Sequence, residues 1–217
     1  MKTNRFLFSQ AIRFGDIRTN DGLQVYGKHL VRALEGRYGF VEVPLKAEDF
    51  VFEKGVSFLH GYFNGRVVID KLRIYNNGIA VETTSKTDDC DEIIDDIISW
   101  APGGLGLNFT ENNNLPRMYG SHMEVEMADG FDLNIKGAPE LSAMIMQAMG
   151  SYRDPGRAFR VGGFDLRIDP TENGPNSFRI ERRANHSFHS NMYFCAAPLK
   201  TRDHIYILEK FENIITS

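Results

Sequence analysis

Asn77 and Gly78 lie between two runs in which apolar and polar residues alternate, and no other feature restricts the chain's folding as much. An Asn-Gly pair in that setting predicts a two-residue type I′ hairpin, because both residues tolerate the positive φ that the turn requires. In the implied register Asn76 faces Ile79, Tyr75 faces Ala80, Ile74 faces Val81, Arg73 faces Glu82 and Leu72 faces Thr83. Leu72, Ile74, Ile79 and Val81 then share an apolar face, and Arg73 against Glu82 favours this pairing over a slip by one residue.

A helix is predicted directly afterwards. Thr87 is the expected N-cap, and Asp88, Asp89, Asp91 and Glu92 crowd the first turns, where acids oppose the positive end of the helix dipole. At 100° per residue, Cys90, Ile93, Ile94, Ile97, Ile98, Trp100 and Ala101 form one stripe. Asp88, Glu92, Asp95, Asp96 and Ser99 occupy the opposite side, and Pro102-Gly103-Gly104 is expected to end the helix. Asp88, Glu92, Asp95 and Asp96 are the candidate interaction face; the ordinary alternative is a solvated helix surface.

Similar reasoning extends along the chain. Residues 5–14 read as a first strand. A helix is expected from Asp21 to Leu34, capped by Asn20 or Asp21, carrying Leu23, Tyr26, Leu30, Val31 and Leu34, and stopped by Gly36. Short strands are expected at Phe40–Val43 and Val56–Phe63, with Asn64-Gly65 turning the chain into Val67. Residues 102–120, rich in Gly, Asn and Pro, read as a connecting loop between an N-terminal α+β half (1–101) and a C-terminal α+β half (121–217). One continuous domain is the alternative.

In the second half, the loop Ala128-Asp129-Gly130 would pair Met127 with Phe131, Val125 with Leu133 and Met123 with Ile135, with Gly130 left-handed in a bulge. A helix from Pro139 to Gly150 is apolar almost all round, which implies burial on several sides or an oligomer interface. A third hairpin turns at Asn173-Gly174-Pro175-Asn176, with Phe164, Leu166 and Ile168 on one arm and Phe178 and Ile180 on the other. The chain then continues extended through Phe194 to a closing helix from about Arg202, capped by Thr201. Three successive hairpin-then-helix units (66–101, 121–150 and 159–215) predict an α+β fold, antiparallel sheet covered by helices.

The chemistry is sparse. The sequence contains no G-x-S-x-G, no P-loop, no dinucleotide-binding glycine pattern after a strand and no H-E-x-x-H. Cys90 and Cys195 sit in apolar settings without a neighbouring base and read as buried free thiols. The one cluster of reactive side chains is Arg182, Arg183, His186 and His189. Arg182, Arg183 and His186 are candidate anion or phosphate ligands. With Glu181, Asp165 and Asp169, the histidines outline a metal-dependent hydrolase or nuclease site, though two histidines three apart on a strand project to opposite faces. No cofactor or metal is expected.

Net charge completes the reading. At −4 the chain is a poor general binder of nucleic acid. No segment reads as a signal peptide or a bilayer span, so a cytoplasmic, membrane-free protein is expected. The expected role is non-enzymatic: a self-assembling structural or adaptor subunit whose partner is another copy of itself or another protein. The alternative is the enzyme or anion-binding module around Glu181, Arg182, Arg183, His186 and His189.

Overall fold

A computed structural model describes residues 1–19, 27–133, 135–151, 158–169, 171–172 and 177–217. Its frame is a nine-stranded, wholly antiparallel sheet with four α-helices among the described residues. The elements in order are β1 (Lys2–Thr19), α1 (Gly27–Tyr38), β2 (Val56–Phe63), β3 (Val67–Tyr75), β4 (Gly78–Thr83), α2 (Thr87–Gly104), β5 (Leu107–Glu111), β6 (Met118–Glu126), α3 (Ala138–Gly150), β7 (Gly163–Leu166), β8 (Phe178–Arg182), β9 (Met192–Ala197) and α4 (Thr201–Thr216). The strands lie in the order β2-β3-β4-β1-β6-β9-β8-β7, and β5 pairs with the end of β1.

The first strand is far longer than its local alternation suggests. β1 pairs with β6 along one edge and with β4 and then β5 along the other. Gly15 sits at the change from β4 to β5, where a Cβ would stand 2.5 Å from the carbonyl oxygen of Thr110. Only a glycine fits that close backbone approach.

The β3–β4 hairpin forms, but two residues out of the expected register. Tyr75 faces Gly78, Ile74 faces Ile79, Leu72 faces Val81 and Lys71 faces Glu82, so the turn is Asn76-Asn77. Neither asparagine takes a positive φ, so this is not a type I′ turn. Gly78 serves close packing instead: a Cβ there would meet the Arg13 carbonyl oxygen at 2.7 Å. A two-residue slip keeps every side chain on its face, so Leu72, Ile74, Ile79 and Val81 are still buried together. Arg73 and Glu82 still meet, diagonally, at 3.5 Å. The positive-φ pair is Asn64-Gly65, at the preceding turn.

Other expectations need correction. α1 runs through Gly36 and stops at Gly39 (φ +62), whose amide bonds to Glu35 O. The expected caps and the start of that helix, residues 20–26, lie outside the described residues, as does the 173–176 turn. Phe40–Val43 makes only an isolated bridge, Glu42 to Leu59, along the outer side of β2. α2 includes Pro102 and ends two residues later, at Gly104. Thr87 is its first helical residue and not its N-cap. Residues 102–120 hold the end of α2, all of β5 and the start of β6.

The Met123–Ile135 hairpin does not form. β6 already has β1 on one side and β9 on the other, so no edge is left for residues 131–135. Phe131 and Leu133 are buried all the same, and Gly130 is left-handed. A 3-10 turn at Phe188–Ser190 interrupts the last extended run, and β9 stands between β8 and α4. Hairpin-then-helix is therefore not a repeating unit of this fold.

Helices cover one face of the sheet in two patches. Leu30, Leu34, Ile93, Ile94 and Ile97 of α1 and α2 pack on Ala11, Phe58, Ile69, Leu72 and Val81. Leu208 of α4 packs on Met123, Val125, Ile180, Tyr193 and Cys195. Between the patches runs a buried polar seam. Ser9 and Ser121 face each other across β1 and β6, and Ser121 Oγ lies 2.8 Å from His204 Nδ1. The starts of α2 and α4 meet there as well. Thr87 N–H donates to Thr201 Oγ1 (3.0 Å) and Thr201 N–H to Thr87 Oγ1 (2.8 Å). Each threonine thus supplies the acceptor that a first-turn amide needs. Thr201→Val is expected to lower stability by about 1–2 kcal/mol, because it orphans a buried amide. Denaturant unfolding checks this, and a change below experimental error would remove the reciprocal cap from the account.

Candidate functional site

The acidic face of α2 is met largely from within the chain. Arg13, only 4% exposed on β1, donates to Asp91 at 3.0 Å and to Asp95. Lys200 reaches Asp91 at 2.8 Å and the Tyr119 hydroxyl donates to the same carboxylate. Burial works against ionisation of Asp91, but the bonds from Lys200 and Arg13 outweigh it and hold its pKa below the usual range. Arg37 forks onto Asp96 (3.0 and 2.5 Å) and lies over the Trp100 ring, and Tyr38 donates to Asp96 too. Glu92 has Arg66 at 3.5 Å. Asp88 is exposed. The Arg13–Asp91–Lys200–Tyr119 network was invisible in the sequence, since its members are separated by up to 187 positions (200 minus 13) and share no motif.

The Arg/His cluster is spread out by its own turn. Arg182 donates to the Phe188 carbonyl (2.9 Å) and to Asp132 (3.2 Å), and its guanidinium stacks on Phe188 and Tyr193. Its side chain is 10% exposed, so it serves as an anchor for the turn. Arg183 bonds Glu124 at 2.9 Å. His186 follows Asn185, which takes a positive φ, and His189 lies in the 3-10 turn; both are exposed. Glu181 pairs with Arg179, Asp165 with Arg167 and Arg179, and Asp169 accepts from Thr171. Among the described residues no group of three or more His, Cys, Asp or Glu could hold a metal ion.

A cleft of about 1320 Å³ opens between the end of β1, α1 and residues 43–53. Ile17, Val31, Phe50 and Phe52 floor it, with Arg18 and Arg32 beside them. Thr19, Lys28, Glu35, Glu53 and Tyr75 line it as well, and among the described residues no His, Cys or Ser does. Both cysteines are buried, and burial pushes their thiols far above the ordinary range, which keeps them protonated and unreactive. No helix among the described residues is long and apolar enough to cross a membrane.

Exposed apolar side chains occur at both ends of the sheet, Val41 and Leu45 near β2 among them, and a second set lies towards β7. Ile135, Leu141, Met144, Phe159, Leu166 and Ile168 are all exposed, and all fall within residues 135–168. In α3 only Ser142 is buried. Ser142 Oγ accepts from the Phe159 amide at 2.9 Å, which ties α3 to the chain leading into β7. β7 itself pairs with β8 alone: Phe164 faces Ile180, Asp165 faces Arg179 and Leu166 faces Phe178. Asp165 and Arg179 set opposite charges across this hairpin. Alternation revealed which side of β7 is apolar. It could not reveal that β7 is the last strand, because that depends on what the rest of the chain leaves beside it.

No protein-family model matches this sequence, and no curated protein matches it either.

Proposed function

We propose that the protein works by protein–protein association, including association with copies of itself, rather than by catalysing a reaction. One observation carries this reading: α3, tied by Ser142 to the chain leading into the edge strand β7, and β7 itself leave large apolar side chains in water. Leu141 and Met144 are 58% and 67% exposed in a helix that buries a single residue, Ser142. Large apolar side chains left exposed in this way are a feature of interaction sites in soluble proteins. The polar groups of the Arg/His turn support the same reading, because Arg182 and Arg183 are engaged in holding that turn and the adjoining strand together.

Light scattering of the purified protein over a range of concentration and salt tests the proposal. The expected mass is a multiple of 24.6 kDa, or that of a complex with a co-purifying protein. Leu141→Glu together with Met144→Glu is expected to shift the mass towards 24.6 kDa with unchanged helix content. A lone chain at every concentration, with nothing co-purifying, would overturn it.

A further inference from the structure

The two edges of the sheet are finished differently. At β2 the chain folds back on itself: Val41 N–H donates to Leu59 O (3.2 Å), Leu59 N–H donates to Glu42 O (2.9 Å), and His60 takes a positive φ that breaks the ladder. Such covering is one way in which proteins stop an edge from recruiting another strand. At β7, among the described residues, no backbone group bonds on the outer side.

The direction in which each β7 amide points follows from one bond. Arg182 N–H donates to Gly162 O at 2.6 Å, so 162 and 182 are a hydrogen-bonded pair of the antiparallel ladder. Every second residue repeats that arrangement, which turns Phe164 and Leu166 inward to β8. Gly163, Asp165 and the following Arg167 therefore turn their N–H and C=O groups outward. The outward row is short and, among the described residues, unpaired.

We infer that this edge pairs with the same edge of a second copy of the chain, antiparallel, about a two-fold axis at Leu166. The inference rests on the association reading above and names its surface. The sequence Phe164-Asp165-Leu166-Arg167-Ile168 is self-complementary in that register alone. Leu166 meets Leu166 of the second copy, Asp165 meets Arg167 twice, and Phe164 meets Ile168 twice. Shifting the axis to Asp165 sets two carboxylates opposite each other, and shifting it to Arg167 sets two guanidiniums opposite each other; both are disfavoured. The hydrogen-bonding parity is satisfied too, as for any axis that passes through a residue, and excludes only axes that fall between residues. With the axis at Leu166, the outward-facing Asp165 and Arg167 form the hydrogen-bonded pair, and the inward-facing Leu166 forms the non-bonded one.

The surface chemistry fits this partner. Leu166 is 62% exposed and Ile168 44%, so both gain by meeting apolar neighbours. Arg167 already lies against Asp165 within the chain, at 2.6 Å, on the side of the sheet that the helices leave bare. The tie between Ser142 and Phe159 joins α3, with its exposed Leu141 and Met144, to the chain leading into the strand.

Two variants at one position test the pairing. Leu166→Lys and Leu166→Glu change an exposed side chain, so each chain is expected to fold as before. Each alone sets like charges against each other at the axis and should weaken the dimer roughly tenfold or more. An equimolar mixture should recover it, as a mixed dimer with Lys against Glu, in sedimentation velocity. Recovery on mixing is not expected of an interface elsewhere. If the native chain self-associates but both variants do so equally well, the β7 edge is wrong and the association reading stands. If the native chain is monomeric at all concentrations, self-pairing is overturned.

Discussion

Asp91→Asn is expected to destabilise the fold by about 3 kcal/mol, because it removes the carboxylate on which Arg13 and Lys200 converge. Arg13 is the more serious loss. Its side chain is 5% exposed and its Nε already lacks a partner, so losing Asp91 leaves a buried cation held only by Asp95 at the surface. The estimate sits at the low end for a broken buried pair because Lys200 is about one-third exposed and water can take over there. Asp88→Asn, on the same helix but exposed, should shift stability by less than about 0.5 kcal/mol. Denaturant unfolding of the two variants side by side separates an internal anchor from a solvated acid. Equal, small effects would mean that the network contributes no stability.

Mild acid is expected to weaken the fold through His204. This imidazole is fully buried, its Nδ1 is hydrogen-bonded to Ser121 Oγ, and its Nε2 has no partner among the described groups. Burial, with a smaller push from His122, lowers its pKa from 6.5 to about 4. The unfolded chain therefore takes up this proton near pH 6.5, while the folded chain resists it until about pH 4. Stability is fully present above the first value and falls between the two, by about 3 kcal/mol, with no further loss below. His122, between Phe8 and Phe194 on the opposite face, is also shifted down, by burial and by Arg179, and adds to the same slope. The paired carboxylates Asp91, Asp96 and Glu111 are held low, so their contribution disappears at more acid pH, while Asp70, raised by burial, acts in the opposite sense at the acid end of the window. Urea midpoints measured across the window should fall steeply for the native chain and much less for His204→Gln. Parallel slopes would assign the loss elsewhere.

What the sequence disclosed follows from what local pattern can encode. The apolar stripe of α2 and the apolar face of β3 and β4 were legible because helix and strand periods fix which residues share a side. Even a two-residue error in register left that face intact. The second hairpin was misread for a non-local reason: Phe131 and Leu133 have the burial of strand residues, but both edges of β6 were already occupied by β1 and β9. Arg13 shows the limit most clearly. It lies in an alternating strand as an unremarkable cation, and its role appears only when α2 and the residue before α4 are laid over it. Likewise, Asp88, Glu92, Asp95 and Asp96 were correctly placed on one side of their helix, while the bases that meet three of them come from β1, α1 and the turn before β3.

The same distinction applies to β7. Its palindromic pattern of apolar and opposite charges is plain in the sequence, and an edge with nothing beside it among the described residues is plain only in the fold. Joined, they make the central claim that this chain is built to associate at that end of the sheet. Amide hydrogen exchange tests it most directly, because neighbouring residues serve as controls. Phe164 and Leu166 turn towards β8 and should be protected at any protein concentration. The outward-facing Asp165 amide should become protected as concentration rises. Free exchange of that amide at every concentration, beside protected neighbours, would contradict the claim.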